Sequence, residues 1–206
     1  MPAGRRGIPD LRLGERTLRR LSSVVWVLVV VSAAAFIATF LRQDVVTPYY
    51  IPSASMEPTL HGCPGCDEDR ILVDRLSYHL HSPHLGDVVV FHRPSTWKVD
   101  DKVLVKRVIG LPGDVLTVHQ GGLFINGREI EEPYLKHGCE AMTSLSEAPR
   151  PPHITRIGPI PPGEVFVMGD NRCNSEDSRA FGPVPESDII GRAFVIVWPL
   201  DRIHYL

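Results

Sequence analysis

Between Leu21 and Leu41 the chain carries no charged residue, and from Val24 to Leu41 only Ser32 and Thr39 interrupt an apolar run. A helix rises about 1.5 Å per residue, so about 20 such residues cover a hydrocarbon core of roughly 30 Å. The run divides the chain into an N-terminal segment 1–23, a transmembrane helix 24–41 and a body 42–206. Six arginines against Asp10 and Glu15 give residues 1–23 a charge of +4. Basic flanks stay cytoplasmic, so the expectation is a single-pass protein of the cell membrane with its N-terminus inside and its body extracytoplasmic. The competing reading is a cleaved leader cut at Ala33-Ala-Ala35. Against it, the apolar run continues through Phe36, Ile37 and Phe40.

The whole chain has a net charge of −2, so the part after residue 23 sums to −6. A mildly acidic body argues against a nucleic-acid partner, which needs basic groups on the folded part. The body is the size of one domain. Beyond Val45 it reads as short runs rich in Val and Ile: 71–73, 87–91, 103–109, 115–119, 123–125, 164–168 and 193–198. Leu111-Pro-Gly-Asp114 and Ile125-Asn-Gly-Arg128 are turn signals between such runs. The expected fold class is mainly β, a body of antiparallel sheets behind one transmembrane helix. Residues 136–162 lose apolar periodicity, and seven prolines fall between Pro149 and Pro183. That stretch reads as an insertion or connecting loop.

Three places carry residues able to do chemistry. The chain has four lysines (98, 102, 106 and 136), and Lys106 lies inside the apolar run 103–109. Arginine keeps its proton near neutrality, whereas a desolvated lysine can lose it. Neutralising a lysine of ordinary pKa at pH 7 takes about 4.6 kcal/mol, which the site must supply. The plain alternative is a solvent-facing Lys106 with Arg107 as the buried residue, and Lys102 shares the parity of Lys106. Ser53 and Ser55 lie in Ser53-Ala-Ser-Met-Glu-Pro-Thr-Leu60, with no nucleophile-elbow pattern around them; a turn or cap role is the alternative. The segment 168–179, rich in small, charged and hydroxylic residues, follows an apolar strand, and a tight turn tied by Asp177 and Arg179 is its structural reading. None of the nine histidines stands out as a catalytic partner.

Taken in order, Ser53–Leu60, Gly86-Asp-Val-Val-Val-Phe91, Lys106-Arg-Val-Ile-Gly-Leu-Pro-Gly-Asp114 and the segment 169–179 resemble the sequence boxes of bacterial type I signal peptidases. The resemblance spans most of residues 24–198 and is weak over 61–70 and 136–160. It implies Ser55 as nucleophile and Lys106 as general base. Ser53 would serve the oxyanion hole with the Ser55 backbone N–H, Ser175 would orient the lysine, and Asp177 with Arg179 would form a supporting ion pair. It further implies an acyl-enzyme, no metal and no cofactor. The implied partners are the lipid bilayer and exported preproteins with small residues at −1 and −3.

Cys173 departs from the family pattern, which often has aspartate there, and His61-Gly-Cys-Pro-Gly-Cys66 is an addition to it. Four extracytoplasmic cysteines suggest disulfides, for which Cys63–Cys66 and Cys139–Cys173 are the pairing expected here. Half of a metal site at Cys63 and Cys66 is the alternative. Two other functional classes stand beside the peptidase: a membrane-tethered scaffold that binds exported chains without cutting them, and a self-processing Ser/Lys protease. Oligomeric state is not legible in the sequence.

Overall fold

The computed structural model describes residues 24–36, 45–63, 65, 67–119, 122–135, 138 and 156–206. The chain divides into two compact units, 1–43 and 44–206. In the first, helix α1 covers residues 24–36 with exposed side chains throughout. No helix among the described residues is long and apolar enough to cross a membrane. Residues 37–41 of the expected span lie outside the described part.

The second unit is built from antiparallel strands. The larger sheet contains β1 (Val46–Tyr50), β2 (Arg70–Asp74), β3 (Val88–His92), β4 (Val103–Gly110), β9 (Glu164–Met168), β10 (Val184–Pro185), β11 (Ile189–Trp198) and β12 (His204–Tyr205). Its order is β1-β2-β11-β3-β4-β9-β10, with β12 paired to β11. The smaller sheet runs β7-β6-β5-β8 from β5 (Leu116–His119), β6 (Gly122–Ile125), β7 (Arg128–Glu129) and β8 (Arg156–Ile157). Strand β1 was not expected from the sequence, because Pro48 breaks its β signal. It forms because β1 is an edge strand, where a missing N–H costs no ladder bond; Pro48 sits opposite Leu72.

Strand β3 is buried on both faces, which explains its unbroken apolar run. Val88 and Val90 join a core with Ile51, Met56, Leu60, Ile71, Val73 and Ile196. Val89 and Phe91 join another with Trp97, Val108, Val165, Val167 and Val184. A third core, around Ile109, Leu116, Leu123, Ile160, Phe166 and Met168, joins the smaller sheet to β4 and β9. The end of the proline-rich stretch belongs to this assembly: β8 pairs with β5, and Ile160 is buried. The β6–β7 hairpin turns at Asn126 and Gly127, both with positive φ, as the Asn-Gly pair predicts.

Pairing along β4 is uneven. On the β3 side it runs from Val103 to Arg107. On the β9 side it begins only at Arg107, opposite Met168, and continues toward Gly110. The first half of β4, residues 103–106, therefore keeps one edge without a strand partner.

Candidate active site

Lys106 sits at the end of that open edge, and its side chain is almost fully buried, at 3% exposure. Its Nζ donates to Ser55 Oγ at 2.7 Å. Ser55 lies in a single 3-10 turn, Ala54–Met56, between Ile51 and Leu60, both anchored in the core. Burial pulls the Lys106 amine down from 10.5 to about 8; Arg179 pushes the same way, while Asp177, Asp101 and Asp170 oppose it. Of the two lysines that share strand parity, Lys106 is buried and Lys102 is exposed. Arg107 is buried as well, so both readings of this pair describe part of the truth: successive strand residues face opposite ways, and each found a partner.

Ser53 precedes the turn with extended backbone, and its Oγ lies 3.2 Å from Ser55 Oγ. The loop after β9 closes the site from the other side. Asn171 donates from its backbone N–H to Ser55 O at 3.1 Å and from Nδ2 to Ala54 O at 2.9 Å, which fixes the serine turn at two carbonyls. Gly169 lies between Ser55 and Ser175, and a Cβ there would overlap Ser175 Oγ and Ser55 O. Only glycine permits that approach.

Ser175 Oγ donates to Asp177 Oδ2 at 2.7 Å. The Asp177 carboxylate also takes Gly169 N–H at 2.9 Å and Arg179 Nε at 2.8 Å. Burial alone would raise the Asp177 pKa, but the bonds and charge of Arg179, with Gly169 N–H and Ser175, outweigh it and hold the carboxyl below its ordinary value. Asp177 and Arg179 are both buried, so this ion pair is internal to the loop.

The sequence reading missed a second set of contacts. Asp170 accepts from Arg107 Nε at 2.8 Å and Nη2 at 2.6 Å, and from Thr59 Oγ1 at 2.5 Å. One carboxylate thus ties the residue after Lys106 to the segment carrying Ser55. The only available signal was a charged residue opening the loop after β9.

The added cysteine loop closes at its neck, where His61 N–H donates to Asp69 Oδ2 at 2.8 Å and Asp69 N–H to His61 O at 2.9 Å. Cys63 and Cys173 are each in a disulfide; Cys66 and Cys139 lie outside the described residues, so the expected pairing does too. Among the described residues no cluster is suited to a metal ion.

A groove of about 340 Å³ leads away from Ser55 and Lys106 between Tyr49–Ser53 on one wall and Asp101–Val105 on the other. A serine and a desolvated amine thus stand at the head of a strand-lined groove in a mainly β fold. The family is given by comparison with known proteins. The family model described as signal peptidase, peptidase S26, matches residues 23–198. Signal peptidase I of Mycobacterium tuberculosis (strain H37Rv) is 40% identical over an alignment covering 77% of this chain and 67% of that protein. Signal peptidase IB of Staphylococcus aureus (strain MRSA252) is 37% identical, covering 84% and 89%. A crystal structure of a signal peptidase I from Enterococcus faecalis V583 aligns at 32% identity and a TM-score of 0.42, over 54% of this chain and 97% of that one. The chain belongs to the signal peptidase family, peptidase S26, and is a serine peptidase of that family.

Proposed function

We propose that this chain removes N-terminal signal peptides from exported preproteins with Ser55 as nucleophile and Lys106 as general base. The observation that carries the reading is the 2.7 Å contact between Ser55 Oγ and the buried Lys106 Nζ. With the amine charged, Nζ donates to Oγ. Once the amine is neutral the bond reverses, and Oγ–H donates to Nζ. Lys106 then takes that proton as Oγ bonds to the scissile carbonyl carbon. The Ser53 hydroxyl and Ser55 N–H stabilise the oxyanion. Collapse breaks the C–N bond, Lys106 returns its proton to the departing amine, and an ester on Ser55 remains. Lys106 next takes a proton from water, whose oxygen attacks the ester; collapse breaks the Oγ–C bond, and Lys106 returns the proton to Ser55 Oγ.

The supporting residues have separate tasks. Because Ser175 gives its proton to Asp177, it presents lone pairs to its surroundings; accepting an N–H of Lys106 there would aim the nitrogen lone pair at Ser55. Asp177 and Arg179 hold that loop rigid. The substrate enters extended, hydrogen-bonding between the free edge of β1 and the unpaired edge of residues 103–106. Its small −1 and −3 side chains face the groove walls near Ser53 and Val105. Residues 24–41 span the membrane with 1–23 in the cytoplasm and the body outside. A shared membrane surface raises the effective concentration of a precursor held by its own apolar segment.

The test is cleavage of a purified precursor whose signal ends in Ala-x-Ala, in liposomes, by wild type and Lys106→Arg. Cutting after the −1 alanine, lost in a folded Lys106→Arg protein, is the expected result. Failure of the wild type on several precursors would return the non-cleaving scaffold to first place. Normal cutting by Lys106→Arg would remove the lysine from its role.

A further inference from the structure

Lys106 is the last residue of the half-paired stretch of β4, with β3 on one side and no strand on the other. Its height against Ser55 therefore depends on how firmly the next residue is held. Arg107 is held by Asp170, Gly86 and Tyr134. Its guanidinium donates to Asp170 and, at 2.8 Å, to Gly86 O. The ring of Tyr134 covers its face, with the centroid 4.1 Å from Cζ. Such a cation–π contact gains strength where water is excluded.

Tyr134 is itself fixed. Its hydroxyl donates to Glu132 Oε1 at 3.0 Å, and the same oxygen accepts from Arg172 Nη2 at 2.5 Å. Burial and the Glu132 charge push the Tyr134 hydroxyl well above its ordinary pKa, so it stays a donor. Arg172 donates from Nε to Gly169 O at 3.0 Å and accepts Arg179 Nη1 at its backbone carbonyl, also at 3.0 Å. One short turn after β7 thus reaches two buried arginines, one beside Lys106 and one in the loop that carries Ser175. That turn lies outside all four segments that carry the family resemblance.

We infer that Tyr134, held by Glu132, is a positioning residue that sets Lys106 against Ser55 by pinning Arg107 from the smaller sheet. The inference rests on the proposed roles of Ser55 and Lys106. Without the ring, Arg107 gains a water-filled gap on one face and β4 loses its stop at the point where pairing becomes one-sided. A misplacement of about 1 Å in a reacting group can cost on the order of a hundredfold in rate.

The experiment compares full-length wild type, Tyr134→Leu and Tyr134→Phe in detergent by two readouts. The first is the pH titration of lysine side chains labelled at Cε, followed by NMR; with four lysines in the chain, the Lys106 signal is assigned by its absence in Lys106→Met. The charged groups acting on Lys106 are Asp177, Arg179, Asp101 and Asp170, and none is altered. The expected result is a Lys106 midpoint that moves toward the ordinary lysine value in Tyr134→Leu, as the amine becomes better hydrated, and returns in Tyr134→Phe, which keeps the ring. The second readout is cleavage, where Tyr134→Leu should lower kcat roughly tenfold to a hundredfold with KM little changed and Tyr134→Phe should recover most of it. An unmoved Lys106 midpoint in Tyr134→Leu overturns the inference, and so does a kcat loss matched by the lost folded fraction. The titration is read whether or not the wild type cleaves anything, so failure of the proposed activity and failure of the clamp give different results.

Discussion

Lys106 Nζ meets Ser55 Oγ at 2.7 Å across 51 positions of sequence. The contact exists because β4 offers a buried lysine at the point where its second strand partner ends, and the serine turn fills that place. Both partners are tied to the loop after β9, Ser55 through Asn171 and the neighbour of Lys106 through Asp170.

The first prediction concerns pH. With Lys106 as the proposed general base the reaction requires its neutral form, and burial brings its pKa to about 8. Cleavage by the wild type should rise about tenfold per pH unit below that value and level off above it. The linked effect on stability has a definite sign. The unfolded chain restores lysine to about 10.4, so between about pH 8 and 10.4 the unfolded state holds more protons and this group's contribution to stability grows with pH. A cleavage rate flat from pH 6 to 9 would sink the lysine-base reading.

Ser53→Ala tests the oxyanion assignment. If the Ser53 hydroxyl stabilises the transition state alone, kcat should fall roughly 10²- to 10³-fold while KM stays near its wild-type value. The opposite pattern, a raised KM at constant kcat, would assign Ser53 to substrate binding instead.

Gly169→Ala should be among the most damaging single-methyl changes in the protein. Its Cβ would overlap Ser175 Oγ and the Ser55 carbonyl oxygen, so the loop and the serine turn must separate. We expect at least a tenfold loss of kcat and a stability cost of about 1–3 kcal/mol, measured by peptide cleavage and urea unfolding. Wild-type kinetics in this variant would contradict the close approach.

Arg179→Met removes one partner of a buried pair and leaves the Asp177 carboxylate uncompensated. The expected loss is roughly 3–5 kcal/mol, read from denaturant midpoints. Because the Asp177 pKa is depressed in the folded state, its contribution is present above the unfolded value near 4 and is lost as pH falls through the lower folded one. Wild type should therefore lose part of its advantage over Arg179→Met in acid, and a gap that is constant from pH 7 to pH 3 would refute the pairing as a source of stability.

Much of the architecture was legible because it follows from local pattern. Alternating and continuous Val/Ile runs mark strands whichever partner they take, and Asn126-Gly127 marks a hairpin through its own backbone preferences. Strand β1 escaped notice because the rule it obeys, proline at a sheet edge, applies only once the sheet order is known. The ordered motifs named Ser55, Lys106 and the loop around Ser175 as a group, and the family comparisons agree with that resemblance. Parity could not separate Lys106 from Lys102, nor show that Arg107 would be buried beside Lys106.

By itself, then, the sequence determined the chemistry available: an apolar stretch of membrane length, a mainly β body, a serine segment, a lysine in an apolar strand and a dense polar loop. These are properties of neighbouring residues, carried by periodicity and side-chain type. Tertiary structure alone decided which lysine loses its water, which loop clamps the serine turn, and that Tyr134 and Glu132 grip Arg107 and Arg172. Desolvation and hydrogen-bond pairing depend on groups brought together from distant parts of the chain, and no local pattern encodes those distances.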